Sequence, residues 1–296
     1  MTERRYSMKL GIVAKMTNPE AIRLSGEVAA WLKERGIEVY GDTELAKRAN
    51  NITACDRKDL ADLIDSMVVL GGDGTILYAA RLLSGKKITV LGVNMGGLGF
   101  LTTVKVNEVY ENLEKLIKGD YTLEERMMLS VVITRDEKKY AEYKVLNDVV
   151  IKSRMARLIK LATSINKEYV TTYRSDGLII ATPTGSTAYA LSAGGPILYP
   201  TIHSIIVVPI CPFNLMNRPV VVPDWMSVDV SVPPDDSALA LTLDGQVDMQ
   251  LKAGDSIEVK RAAESVYVVA GKGKGKGYFD ILRERLLWEG KKEGQA

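Results

Sequence analysis

Histidine occurs once in this 296-residue chain, at His203, and cysteine twice, at Cys55 and Cys211. The single histidine excludes a histidine-cluster metal centre, and any Ser-His-Asp arrangement would have to use that one residue. The two cysteines stand in no metal or redox spacing, which points to a reducing, cytoplasmic setting. Charge of one sign is also missing: the formal net charge is +2, so no strong field argues for nucleic acid or a membrane surface as partner. No targeting segment is expected before the first strand at Met8. Residues 177–217 contain no Asp, Glu, Lys or Arg, yet they do not read as a membrane span. Pro183, Pro196, Pro200, Pro209 and Pro212 interrupt them, as in buried core and site-lining loops.

What is present is organised around Met67-Val-Val-Leu-Gly-Gly-Asp-Gly-Thr75. A short β-branched strand feeds a glycine-rich turn, and Ile76 to Leu83 follows with helical spacing up to Gly85. Such a turn suits an anion, because glycines let the backbone approach phosphate oxygens and the helix start offers free N–H groups. Asp73 puts a carboxylate where phosphate should sit. That is unfavourable unless a cation bridges the two or the carboxylate takes a proton, and phosphoryl transfer requires both. Taken alone, the turn also fits a solvated structural Asp.

Strands at Met8–Ala14, Ile37–Tyr40, Met67–Leu70 and Ile88–Leu91 alternate with helical segments. Asn18-Pro19 caps the first helix and Gly36 closes it; residues 56–64 and 106–118 read as further helices, and 42–55 as polar and ambiguous. This pattern predicts a parallel, Rossmann-like sheet with ligands beyond its carboxyl ends, where Gly92-Val-Asn-Met-Gly-Gly-Leu-Gly-Phe100 also falls. After Asp120 the texture turns to strands: 129–134, 143–152, 158–165, 169–173, 220–222, 227–232, 238–243 and 256–260. They predict an antiparallel, sandwich-like β-rich domain. The expected division is 1–122 plus a returning C-terminal helix at 278–296 for the α/β domain, and 123–277 for the β-rich domain. Gly271 to Gly277 reads as a basic, solvated hinge rather than a Walker loop.

Two more segments carry chemistry. Asn147-Asp148 sits inside an apolar run, and a buried Asp needs a partner such as a ribose hydroxyl, unless the pair marks a β-bulge. Arg174 to Pro196 contains a strand, the hydroxyl-rich turn Thr182-Pro-Thr-Gly-Ser186, and a short helix through Ser192 that Ser186 or Thr187 could cap. The layout suits an adenosine or ribose held by hydroxyls, backbone amides and the Tyr189 ring.

Together these segments resemble the NAD kinase family, whose ordered pattern is Gly-Gly-Asp-Gly-Thr, an Asn-Glu or Asn-Asp pair, and Thr-Pro-Thr-Gly-Ser-Thr-Ala-Tyr leading to Gly-Gly-Pro. Here they are Gly71 to Thr75, Asn147-Asp148, and Thr182 to Tyr189 with Gly194 to Pro196. Gly96 to Phe100, Pro209 to Pro212, Asn217-Arg-Pro219 and Asp244-Gly-Gln246 look familial as well. The resemblance implies ATP-dependent phosphorylation of the adenosine-ribose 2′-hydroxyl of NAD, a divalent cation (magnesium), and a cytoplasmic homodimer or homotetramer. It implies Asp73 as the catalytic carboxylate, accepting the hydroxyl proton, helping to hold the metal, or both. Gly72, Gly74, Thr75 and Phe100 would lie against nucleotide, and Asn147 and Asp148 against the nicotinamide-side ribose. Thr187, Ala188, Tyr189 and Ser192 would line the adenosine site. Arg157, Arg174, Asp176 and Gln246 would shape the substrate pocket. Two departures bear on substrate preference: Phe213-Asn-Leu-Met216 replaces a common His-Thr-Leu-Ser, and Gly97 stands where many members carry a polar residue or His. The first motif alone is shared with lipid kinases and loosely with phosphofructokinases, so a lipid or sugar kinase and a non-catalytic dinucleotide-binding regulator are the alternatives.

Overall fold

The computed structural model describes residues 8–83, 85–97, 99–155, 157–233, 239–270 and 277–288. The chain separates into two compact units: one runs to Glu124 and resumes at Tyr267, and the other is Glu125–Val266.

In the first unit, β1 (Lys9–Ala14), α1 (Pro19–Lys33), β2 (Glu38–Asp42), α2 (Thr43–Ala46) and β3 (Thr53–Cys55) alternate, followed by α3 (Leu60–Leu63), β4 (Ser66–Gly71), α4 (Asp73–Leu82), β5 (Thr89–Asn94), β6 (Val104–Lys105) and α5 (Val109–Lys118). All strand pairings are parallel, in the order β3-β2-β1-β4-β5. The sheet reverses direction of growth between β1 and β4, so Gly71 and Gly72 lie at a topological switch point, the usual place for a ligand in an open α/β sheet. β4 and β5 are buried along their whole length, because helices cover both faces of a parallel sheet. Asn18 caps α1 as its sequence suggests, its Oδ1 accepting from the Glu20 and Ala21 N–H groups.

The helix expected over 56–64 is only the single turn Leu60–Leu63, and the ambiguous 42–55 stretch holds both α2 and β3. Arg57 is drawn instead to Asp42 Oδ2, at 2.8 Å, and to Glu44. The first three residues of the 106–118 segment form a 3₁₀ turn before α5 begins.

The second unit is built from β7 (Leu123–Arg135), β8 (Lys138–Val145), β9 (Asp148–Ser153), β10 (Ile159–Ile165), β11 (Glu168–Ser175), β12 (Gly177–Ala181), α6 (Tyr189–Ser192), β13 (Ser204–Ile210), β14 (Val220–Pro223), β15 (Val228–Ser231), β16 (Leu239–Leu243), β17 (Val247–Gln250) and β18 (Ser256–Val269). One antiparallel sheet has the order β14-β13-β12-β9-β16-β17; a second joins β11, β10, β15 and the first part of β18, with the β7–β8 hairpin beside β18. Inward residues of both sheets, among them Ile151, Leu178, Val207 and Leu241 from one and Leu161, Val230 and Ile257 from the other, share one core. This is the sandwich that alternating apolar residues dictate. The run read as one strand over 143–152 is broken at Leu146-Asn147, where the chain leaves β8 and enters β9. From Tyr267 onward β18 belongs to the first unit, and there Tyr267 and Val268 pair in parallel with Thr89 and Val90 of β5. A final helix, α7, covers Tyr278–Leu286; residues 289–296 of the expected 278–296 helix lie outside the described residues, as do Gly271 to Lys276 of the proposed hinge and Ala238. No helix among the described residues is long and apolar enough to cross a membrane.

Candidate active site

Two clusters of functional side chains are built independently, one in each unit. In the first, Gly72 is the N-cap of α4, and the helix begins at Asp73 itself, earlier than hydrophobic spacing alone indicates. The Asp73 side chain is held from the far side of the glycine loop. Its Oδ2 accepts from the Phe100 N–H at 2.8 Å, and its Oδ1 accepts from Leu101 N–H at 3.0 Å, Thr102 N–H at 3.2 Å and Thr102 Oγ1 at 3.3 Å. Four donors from one loop thus converge on one carboxylate. Gly99 makes this approach possible: a Cβ there would overlap Asp73 Oδ1 and Thr102 Oγ1. Phe100 stacks its ring 6.0 Å from that of Tyr278, at the start of α7. Gly72 and Thr75 are half-buried beside Asp73, and Gly74 is exposed. The sequence reading missed Asn94 and Thr102, which shape the loop. The available signal was an Asn ending a buried apolar strand directly before Met-Gly-Gly.

In the second unit, Asp148 opens β9 and is 4% exposed. The Tyr189 backbone N–H favours its charged form. Burial first, and then the Asp244 carboxylate, push Asp148 up to about 7 against the lowering effect of that N–H. Asp244 is a second clasped carboxylate. It turns the β16–β17 hairpin with a positive φ of 50°, which Asp tolerates better than most residues, and it accepts from the Leu146, Asn147 and Asp148 N–H groups at 3.0, 2.7 and 3.2 Å. The Asn147 carbonyl accepts from Thr182 N–H at 2.9 Å, and Thr182 Oγ1 donates to the Leu146 carbonyl and accepts from Gly185 N–H. Asn147, Asp148, Thr182, Gly185, Tyr189 and Asp244 are therefore one connected group.

The capping roles expected of Ser186 and Thr187 are not what the structure shows. Thr184–Thr187 is a 3₁₀ turn, and α6 is a four-residue helix with Ala188 at its N-cap and no side-chain cap. Ser186 Oγ donates to the Pro183 carbonyl and accepts from Leu198 N–H, while Thr187 Oγ1 donates to the Thr184 carbonyl. Hydroxyls this close to their own chain turn back on it, which competes with capping. Tyr189 and Ser192 are exposed, and Ala188 is half-buried. Arg174 is exposed with its guanidinium 4.9 Å from the Phe213 ring centroid, inside the loop that departs from the family pattern. Asp176, Gln246 and Arg157 are exposed; Arg157 and Gln246 have partners of their own. His203 is engaged elsewhere, its Nδ1 3.0 Å from Asp224 Oδ2, an oxygen that Arg261 also binds.

The raised pKa of Asp148 has a measurable consequence. In the unfolded chain this carboxyl ionises near its ordinary value of 3.8, and in the native state only near 7. Between those values the native state holds a proton that the unfolded state has released, so stability falls as pH rises through that window. Asp148→Asn keeps an acceptor for Tyr189 N–H but cannot ionise. Stability of the parent is expected to fall more than that of Asp148→Asn between about pH 5 and pH 8, by up to about 3 kcal/mol. Parallel stability curves from denaturant melts would remove the proton from Asp148.

A parallel sheet with a glycine turn and a fixed carboxylate at its switch point defines a nucleotide-binding α/β protein, here carrying a β-sandwich unit. Residues 10–121 match the model of the ATP-NAD kinase N-terminal domain, and residues 146–271 that of the ATP-NAD kinase C-terminal domain. An NAD kinase of Syntrophotalea carbinolica is 44% identical over 95% of this chain and 98% of its own length, and one of Geobacter sulfurreducens is 43% identical with the same coverage. Among solved structures, yeast NADH kinase complexed with NADH aligns with a TM-score of 0.87 at 26% identity, over 98% of this chain and 90% of that one. An Archaeoglobus fulgidus NAD kinase in complex with ATP aligns with a TM-score of 0.74 at 25% identity, over 93% and 99%. The chain belongs to the NAD kinase family.

Proposed function

We propose that this protein transfers the terminal phosphoryl group of ATP to the 2′-hydroxyl of the adenosine ribose of NAD, forming NADP and ADP. The observation that carries the mechanism is the fixed Asp73 carboxylate at the end of β4. Each carboxylate oxygen has two lone pairs. Oδ1 already takes three donors, whereas Oδ2 takes only the Phe100 N–H, so Oδ2 is the oxygen with capacity for the ribose hydroxyl. The 2′-oxygen attacks the γ-phosphorus as its proton passes to Asp73, and the bond to the β–γ bridging oxygen breaks to release ADP.

The remaining roles follow the family pattern. Gly72, Gly74, Thr75 and Phe100 line the phosphate-bearing turn. Asn147 and Asp148 hold the nicotinamide-side ribose. Thr187, Ala188, Tyr189 and Ser192 receive the adenosine, and Arg157, Arg174, Asp176 and Gln246 border the substrate. Magnesium belongs to this reading as part of the ATP substrate. Among the described residues no three His, Cys, Asp or Glu side chains are grouped to hold a metal, and Asp73 is the carboxylate placed to help hold the magnesium that ATP brings. The same reading makes the protein a cytoplasmic homodimer or homotetramer.

The test is a coupled assay with purified protein, magnesium, ATP and NAD, following NADP with an NADP-specific dehydrogenase. NADP accumulation with matched ADP release is expected. ATP consumption that requires a lipid or sugar acceptor, with none from NAD, would transfer the protein to the wider kinase group. Tight dinucleotide binding without ADP release would make it a regulator.

A further inference from the structure

We infer that Asn94, acting through Thr102, is a positioning residue for Asp73. The inference rests on the reading of Asp73 as the proton acceptor. Asn94 is the last residue of β5 and pairs in register with Gly71 of β4, so it stands beside the glycine turn at the carboxyl edge of the sheet. It is 7% exposed, and Thr102 is fully buried. The side-chain amide of Asn94 faces the 96–102 loop with both of its ends. Its Oδ1 accepts from Gly96 N–H at 2.8 Å, and its Nδ2 donates to the Gly97 carbonyl at 2.9 Å, to Thr102 Oγ1 at 3.1 Å and, longer, to the Thr102 carbonyl at 3.4 Å.

The direction of these bonds gives them a purpose. Asn94 Nδ2 offers its proton to Thr102 Oγ1, so the hydroxyl's own proton is free to point elsewhere, and Asp73 Oδ1 is the acceptor 3.3 Å away. Asn94 therefore sets the sense of the Thr102 hydroxyl, as a donor toward Asp73. It also pins both ends of the loop whose three consecutive N–H groups, at Phe100, Leu101 and Thr102, bind the carboxylate. Asn94 reaches Asp73 through Thr102 and the loop, so its action is indirect. An aspartate at 94 would keep the Gly96 contact, lose every donation, and set a negative charge against two carbonyl oxygens. Only the amide serves both ends, which is a chemical reason for Asn at this position that strand propensity does not provide.

The consequence is kinetic. With Asn94 or the Thr102 hydroxyl gone, Asp73 keeps its place on α4 but loses the fixed direction of its carboxylate, and small misplacements of a reacting group cost rate more than binding. Thr102→Val removes the hydroxyl at nearly constant volume, and Thr102→Ser restores it. Asn94→Ala and Thr102→Val are expected to lower kcat roughly ten- to a hundredfold with KM for NAD and ATP within about threefold of the parent. Thr102→Ser is expected to recover most of the loss. In an Asp73→Asn background, neither substitution should lower the residual rate further. The inference is overturned if Thr102→Val and Asn94→Ala keep kcat within twofold of the parent. It is also overturned if the losses appear in KM and melting temperature without rescue by Thr102→Ser, the signature of a merely structural role. Failure of the underlying reading is distinguishable, because Asp73→Asn alone would then retain turnover.

Discussion

Asp73→Asn is expected to abolish NADP formation, with kcat falling by about a thousandfold or more. The amide can present its one oxygen to the Leu101 and Thr102 donors, so most of the clasp survives. Its NH2 then faces Phe100 N–H, donor against donor, and the atom with capacity for the ribose proton is gone. The fold should persist, because α4 is anchored by Ile76, Leu77, Ala79 and Ala80 rather than by this carboxylate. The check is a kinetic assay beside calorimetric NAD titration and a melting curve. A variant that binds NAD within a few-fold of the parent, melts normally and does not turn over assigns the chemistry to Asp73. Turnover within tenfold of the parent would refute it.

Gly185→Ala is expected to have the largest effect in the β-rich unit. A Cβ at this buried position would overlap the Asn147 carbonyl oxygen and stand 2.6 Å from its carbon and 2.8 Å from the Asn147 Cα. Every one of these neighbours is backbone, so no rotamer change relieves the overlap. Either the 3₁₀ turn lifts away, breaking the Thr182 bonds to Leu146 and Asn147, or β9 moves and with it Asp148. Overpacking of this kind costs about 3 kcal/mol, or roughly 6–12 °C in melting temperature for a unit of this size. Dinucleotide affinity should fall at least about tenfold, since Asn147, Asp148 and Tyr189 all hang on the displaced segments. Scanning calorimetry and NAD titration read both effects, and an unchanged melting temperature would contradict the packing argument.

How much of this was legible in the sequence depended on distance along the chain. The β4–turn–α4 unit, the Asn18 cap and the change to antiparallel strands after Asp120 are local signals, and the fold class follows from them. Asp73 could be singled out as a carboxylate in an anion-binding turn. That its partners are the amides of Phe100 to Thr102 could not be read, because backbone donors leave no trace in residue identity. Asn94 reads as part of the glycine loop, although an Asn ending a buried apolar strand is a signal in itself. Asp244 was visible only within the familial-looking Asp244-Gly-Gln246, because its hold on the 146–148 backbone joins residues about a hundred positions apart. Ser186 and Thr187 misled because a hydroxyl before a helix satisfies cap chemistry and local backbone bonding equally well. The 56–64 helix was overdrawn because its polar residues allow a helix, and Arg57 is committed to an ion pair with Asp42 instead.

The pairing of Tyr267 and Val268 with β5, and of the Tyr278 ring with Phe100, has a consequence for how the molecule is made. The first unit consists of the earliest and the latest parts of the chain. During synthesis its parallel sheet emerges first, yet the segments that flank β5 and the glycine loop are translated only after the whole of Glu125–Val266. The β-sandwich, contiguous in sequence, can close as soon as it leaves the ribosome, whereas the unit carrying Asp73 waits with an edge unfinished. Completion of the unit that carries Asp73 thus requires segments translated after the whole β-sandwich.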